Sequence, residues 1–278
     1  MEFDRHLSPQ VRDMEPVEIR KVVNMIQGED VVPLAAGWPN ADALPAEALA
    51  TVVDGRLREL GPAMLQYGVT QGEPALREQI AARLRTRFDI DARPEEVFVT
   101  CGSQQGLYLV ARALLADGDT AAVGAPTYVA ALTAFEALTD VDFLSVPLDE
   151  DGMDIDRLEA SLDDVSPKVV YVVPTYQNPT GITMSETRRH RLVDLAYEHD
   201  FLVVEDQPYA ELGFGDDPPR PISSIDRERT IHLGTVSKVL APGLRVGWVV
   251  APEPLIDKLE LLKQPVDLQT SSFSQHVV

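Results

Sequence analysis

From about Glu73 onward, short apolar runs alternate with longer amphipathic segments, and that alternation leaves few architectures open. Strands are predicted over Val97–Thr100, Thr120–Val123, Phe143–Val146, Val169–Val173, Leu202–Glu205, Ile231–Gly234 and Val246–Val250. Helices are predicted over Glu73–Phe88, Gln105–Ala116, Val129–Leu138 and Glu186–His199. Helix-length connections between strands point to parallel pairing, since a parallel crossover needs that much chain. Parallel sheets are covered on both faces, so the expected class is α/β. The expectation is a three-layer α/β/α domain over residues 61–278 with a mostly parallel seven-stranded sheet. Residues 1–60, which precede it, are expected to form an N-terminal arm and part of a second, small domain, with a helix from Pro16 to Gln27 and the segment Leu34–Pro39. At the other end, Pro254–Val278 reads as the start of one long helix.

Parallel sheets bind ligands at the carboxyl ends of their strands, so the residues just after each strand matter most. One of them is Lys238, in Gly234-Thr235-Val236-Ser237-Lys238-Val239-Leu240-Ala241-Pro242-Gly243-Leu244-Arg245. The chain has 5 lysines among 24 Lys and Arg residues, so a lysine behind a buried strand stands out. Held against a core, a lysine is desolvated, its pKa falls, and its neutral amine becomes a nucleophile toward an aldehyde. Thr235, Ser237 and Arg245 around it suit a dianionic phosphate. Upstream, the apolar strand Val203-Val204 ends in Glu205-Asp206, with Tyr209 three residues beyond Asp206. Another strand runs into Pro174-Thr175-Tyr176-Gln177-Asn178-Pro179-Thr180-Gly181, where an Asn-Pro bond is a candidate for the cis form. Gly102-Ser103-Gln104-Gln105 follows a strand and opens a helix, which suits either a phosphate or an ordinary helix cap.

Taken together, these motifs resemble the class I/II aminotransferases of fold type I that depend on pyridoxal 5′-phosphate (PLP). The likeness is greatest to the branch with 2-aminoadipate, kynurenine and aromatic aminotransferases, and it runs from near Ile19 to the last residue. The resemblance implies a Lys238 Schiff base with PLP and transfer of an amino group from an L-amino acid to a 2-oxo acid. It implies Asp206 on the pyridine nitrogen, with Tyr209 and Asn178 on the phenolic oxygen. Tyr128 would stack over the ring, and Ser103, Gln104, Thr235, Ser237 and Arg245 would hold the phosphate. Tyr67 would reach the phosphate of a neighbouring subunit, making the active unit a homodimer. Gly37 and Asn178 would border the substrate. In relatives a C-terminal small domain carries the arginine that clamps the substrate carboxylate, and no residue here is assigned to that role. Other readings of the same motifs are a PLP lyase, a PLP-sensing regulatory domain and a catalytically impaired fragment.

Bulk properties narrow the classes further. A net charge of −21 argues against nucleic-acid or anionic-membrane partners, which need a basic face. It is also the surface expected of a salt-adapted protein, or of an ordinary acidic cytoplasmic one. The single Cys101 excludes an internal disulfide and fits a reducing cytoplasm. No apolar run approaches the length of a membrane span, and the N-terminus has no secretory pattern. The five histidines lack paired ligand spacing, and no Gly-x-Ser-x-Gly elbow is present, so metal and serine-hydrolase chemistry are unsupported.

Overall fold

A computed structural model describes residues 3–8, 12, 37–137, 140–215 and 219–278. The expected helix Pro16–Gln27 and the stretch 34–36 lie outside those residues. The chain divides into two compact units, Met1–Ala41 and Asp42–Val278. In the first, Phe3–His6 form a 3-10 turn and Gly37 is exposed at φ 61°. All that follows concerns the second.

Its described residues carry an eight-stranded sheet: β1 (Val97–Thr100), β2 (Thr120–Ala125), β3 (Asp142–Asp149), β4 (Gly152–Met153), β5 (Val169–Val172), β6 (Leu202–Asp206), β7 (Thr230–Thr235) and β8 (Gly247–Val250). The order across the sheet is β1-β8-β7-β6-β5-β2-β3-β4. Four neighbouring pairs, from β7 through β6, β5 and β2 to β3, are parallel. β8 is antiparallel to both its neighbours, and β4 is antiparallel to β3. All seven expected strands form, and the count is corrected to eight by β4. That strand is two residues long, too short to leave a pattern in the sequence. β8 reverses because the segment 236–246 is too short for a helical crossover and returns the chain beside β7 instead.

The helices are α1 (Ala46–Leu60), α2 (Pro74–Phe88), α3 (Gly102–Leu114), α4 (Val129–Glu136), α5 (Ile155–Leu162), α6 (Glu186–Glu198), α7 (Ile222–Ile225), α8 (Glu253–Asp267) and α9 (Ser272–Val277). The expected single helix from Pro254 is two: Leu268 adopts φ 66°, which ends α8, and the Ser271 side chain caps α9 by accepting from Ser274 N. Alternation along the strands sorts the core into faces. On one, Val169, Tyr171, Val204 and Ile231 pack against Leu107 and Val110 of α3, Phe135 of α4 and Leu259 of α8. On the other, Val170, Val172 and Val203 meet Leu158 of α5 and Leu192 and Leu195 of α6. A third cluster closes the β1–β8 end, where Leu76, Ile80 and Leu84 of α2 cover Val97, Val99 and Trp248. Along one edge of the sheet β1, β2, β5, β6 and β7 end, followed by loops and by the first turn of α3.

Candidate active site

Five strand ends and one strand start converge on that edge. β1 ends before Gly102 and Ser103, β2 before Tyr128, β5 before Asn178, β6 at Asp206 and β7 at Thr235. Antiparallel β8 begins at Gly247, directly after Arg245 and Val246, so Arg245 is delivered there too. The register couples these positions: Asp206 sits beside Leu233 and Thr235 beside Gly247.

At one end of the site is a carboxylate. Asp206 is buried, and its Oδ2 accepts a hydrogen bond of 3.0 Å from the Tyr171 hydroxyl. Its Oδ1 is buried with no hydrogen-bond partner. Burial raises the Asp206 pKa to about 6, with the Tyr171 bond and His232 acting in the opposite direction. Tyr209 lies nearby, and its hydroxyl accepts from Asn178 Nδ2 at 3.3 Å. Tyr128 is pushed up to about 12 by burial and by the charge of Asp206, while Arg245 pulls it down. Its hydroxyl lies 3.4 Å from Gln104 Oε1, which ties the ring to the first turn of α3. The Asn178-Pro179 bond is cis, and so is Ala125-Pro126, which the sequence reading did not single out.

At the other end are an amine and a cluster of hydroxyls and amides. Lys238 is half-buried, and its pKa is lowered by burial and by the charge of Arg245. The Arg245 Nη2 donates to the Cys101 carbonyl at 3.3 Å. Gly102 makes that approach possible: at φ 72°, a Cβ there would lie 2.5 Å from Arg245 Nη2. Thr235 Oγ1 lies 2.9 Å from Ser237 Oγ and accepts from the Ser237 amide at 3.1 Å. The amides opening α3 carry the positive end of the helix dipole. Gly247 backs the same turn, and a Cβ there would lie 2.5 Å from Ser103 N and 2.6 Å from Gly102 C. Gly247→Ala is therefore expected to displace the turn and lower stability by about 1–3 kcal/mol, read from a denaturant melt. An unchanged midpoint would contradict that packing.

The structure thus brings together Ser103, Gln104, Tyr128, Asn178, Asp206, Tyr209, Thr235, Ser237, Lys238 and Arg245. Tyr67 stands apart, 80% exposed beyond the 3-10 turn Gly61–Leu65. Gly37 belongs to the N-terminal unit. The sequence reading missed two supports. In the sequence Tyr171 reads as part of an apolar strand, yet in a parallel pair with β6 it shares the face of Val204 and hence of Asp206. The period-two alternation held that signal. Lys263 is fully buried, with its Nζ 2.6 Å from Gln105 Oε1 and 2.8 Å from both Asp267 oxygens. Gln105 Oε1 also accepts the Cys101 amide at 2.8 Å, so α8 braces the turn that opens α3. The Lys–Asp spacing of four on a helix was its only mark in the sequence.

Comparison with known proteins places this geometry in context. Residues 29–278 match the family of class I and II aminotransferases. An aromatic-amino-acid aminotransferase of Thermococcus litoralis is 42% identical over 281 residues, covering 99% of this chain and 67% of that protein. The crystal structure of a multiple substrate aminotransferase from Thermococcus profundus superposes with a TM-score of 0.94 at 42% identity, over 100% of this chain and 70% of that one. An α-aminoadipate aminotransferase of Thermus thermophilus, complexed with N-(5′-phosphopyridoxyl)-L-leucine, matches with a TM-score of 0.90 at 35% identity, over 100% and 69%. The chain therefore spans about two thirds of the length of these proteins.

Proposed function

The chain belongs to the class I and II aminotransferases, which use PLP to move an amino group between amino acids and 2-oxo acids, and from that premise we propose that Lys238, Asp206 and Tyr209 carry the exchange. The observation behind the assignment is the buried, unpartnered Oδ1 of Asp206 on the same sheet edge as the desolvated amine of Lys238. The residues fit the cofactor at both ends, with an orphaned carboxylate oxygen for the pyridine nitrogen and an arginine, hydroxyls and helix amides for the phosphate. Bound PLP supplies an aldehyde that condenses with amines and a cationic ring that accepts the electron pair left when the substrate Cα loses its proton.

The chain's own residues do the rest. Burial and the charge of Arg245 lower the Lys238 pKa and so raise the share of neutral amine; its Nζ would serve as the nucleophile toward the aldehyde and as the base that takes the Cα proton and returns it. Asp206 Oδ1, buried and without a partner, would accept the hydrogen bond of a protonated ring nitrogen and keep that nitrogen charged. Tyr209 and Asn178, already hydrogen-bonded to each other, would hold the phenolic oxygen, Asn178 would also border the substrate, and Tyr128 would cover the ring face. Ser103, Gln104, Thr235, Ser237 and Arg245 would hold the phosphate. Tyr67, exposed on this chain, is assigned to the phosphate of a second subunit in a homodimer. No helix among the described residues is long and apolar enough to cross a membrane, and the lone Cys101 supports placement in a reducing cytoplasm.

Aromatic and α-aminoadipate donors are the first candidates, since the relatives carry those names. The test is a single half-reaction: the PLP-loaded protein is mixed with aromatic, α-aminoadipate and branched-chain amino acids, and the 2-oxo acid released per site is measured. Release approaching one equivalent with at least one donor is expected. No release from any donor, at full PLP occupancy, would sink the reading for this chain.

A further inference from the structure

A buried carboxylate with two similar oxygens has no reason of its own to keep one of them free. Asp206 has such a reason in Tyr171. The Tyr171 side chain is fully buried in β5, its ring edge-on to Phe135 at 5.7 Å between centroids and 79° between planes. Its hydroxyl donates to Asp206 Oδ2 at 3.0 Å, and Oδ1 is the oxygen left without a partner. The phenol is itself held neutral, because burial and the neighbouring carboxylate drive its pKa well above the usual tyrosine range. It is therefore a fixed donor that does not titrate in the working range.

We propose that Tyr171 is a positioning residue for Asp206: its hydroxyl fixes the rotation of the carboxylate, favours its ionised form, and reserves Oδ1 for the cofactor's ring nitrogen. The inference rests on the assignment of Asp206 to that nitrogen. The groups facing Asp206 are Tyr171 from β5, His232 from β7, the adjacent Glu205, and the hydroxyls of Tyr128 and Tyr209. Of these, Tyr171 makes the direct hydrogen bond, which sets the geometry, and it is the largest influence favouring the ionised form against the burial that disfavours it. Removing it allows the carboxylate to turn and to take up a proton at higher pH.

Tyr171→Phe deletes the oxygen and keeps the ring against Phe135. Measured by equilibrium dialysis of apoprotein against PLP near pH 7, the variant is expected to bind about tenfold more weakly, the usual value of a hydrogen bond to a charged group. Its affinity is expected to fall off at a higher pH than that of the parent protein. In an Asp206→Asn background, the same Tyr171→Phe change is expected to have little further effect on PLP affinity. Equal weakening in both backgrounds would mean a merely structural role and overturn the proposal, as would no weakening in the parent background. An Asp206→Asn protein that binds PLP as the parent does is a different failure, that of the Asp206 assignment. Tyr171→Met, which also lacks the donor, supplies the same cycle if the phenylalanine variant does not accumulate as folded apoprotein.

Discussion

Replacing Lys238 by alanine is expected to abolish the visible absorbance of lysine-bound PLP and to slow the amino-transfer half-reaction by about 10²–10⁴-fold, the usual worth of a positioned proton-transfer group. The expectation is sharp because no other lysine among the described residues suits the role. Lys168 and Lys258 are exposed, and Lys263 is buried but engaged by Gln105 and Asp267 on α8. Lys238 alone combines partial burial with a neighbouring guanidinium, and both lower its pKa. Lys238→Arg is expected to be as inactive as the alanine variant. Arginine keeps the charge, but its guanidinium stays protonated at any working pH and offers no free amine. Both variants are expected to melt near the parent temperature as apoproteins, since Lys238 lies in a loop outside the packed faces of the sheet. An unchanged spectrum in Lys238→Ala would refute the assignment outright.

Such a prediction can be written because the strand-end residues are legible in the sequence. Each strand that feeds the site is a largely apolar run with polar side chains at its end or within a few residues beyond it, and the topology brings those ends to one edge. Asp206, Asn178, Thr235 and Lys238 were found that way. The apolar pattern by itself withholds the choice between adjacent residues, which the family resemblance supplied. Glu205 and Asp206 are neighbouring carboxylates at the end of one strand, and nothing in composition says which serves the site. The fold decides: Asp206 shares the face of Val204 and Tyr171, whereas Glu205 shares the face of Val203 and points to the opposite layer. Tyr171 was missed for a related reason. In a strand buried on both faces every position is apolar, so a tyrosine there reads as core until its hydroxyl has a partner. β4 and the break at Leu268 were missed because each rests on one or two residues, below the length at which periodicity speaks.

Glu205 itself carries the second large effect, on stability. Its carboxylate is fully buried and accepts from Ile222 N at 2.6 Å, Ser223 N at 3.1 Å, Ser223 Oγ at 2.6 Å and Gln207 Nε2 at 3.0 Å. His232 Nδ1, its register partner on β7, lies 3.2 Å away. Burial alone would raise its pKa, but the bonds from His232 and Ser223 and the charge of Arg189 outweigh it and hold the value down to about 2. A folded-state pKa below the unfolded one stabilises the fold at pH values above the unfolded pKa. That contribution, about 3 kcal/mol for a group moved from about 4.3 to about 2, disappears as pH falls between those two values. Glu205→Ala strips the acceptor from several buried donors at once and is expected to cost about 3–5 kcal/mol at pH 7. Glu205→Gln fills the same space but turns a donor toward Ser223, and its deficit is expected to shrink steadily as pH falls from about 4.5 toward 2. Denaturant midpoints at pH 7 and pH 3 provide the measurement. A deficit that stays constant across that window would show that the carboxylate's charge is not what β6 and β7 are built around.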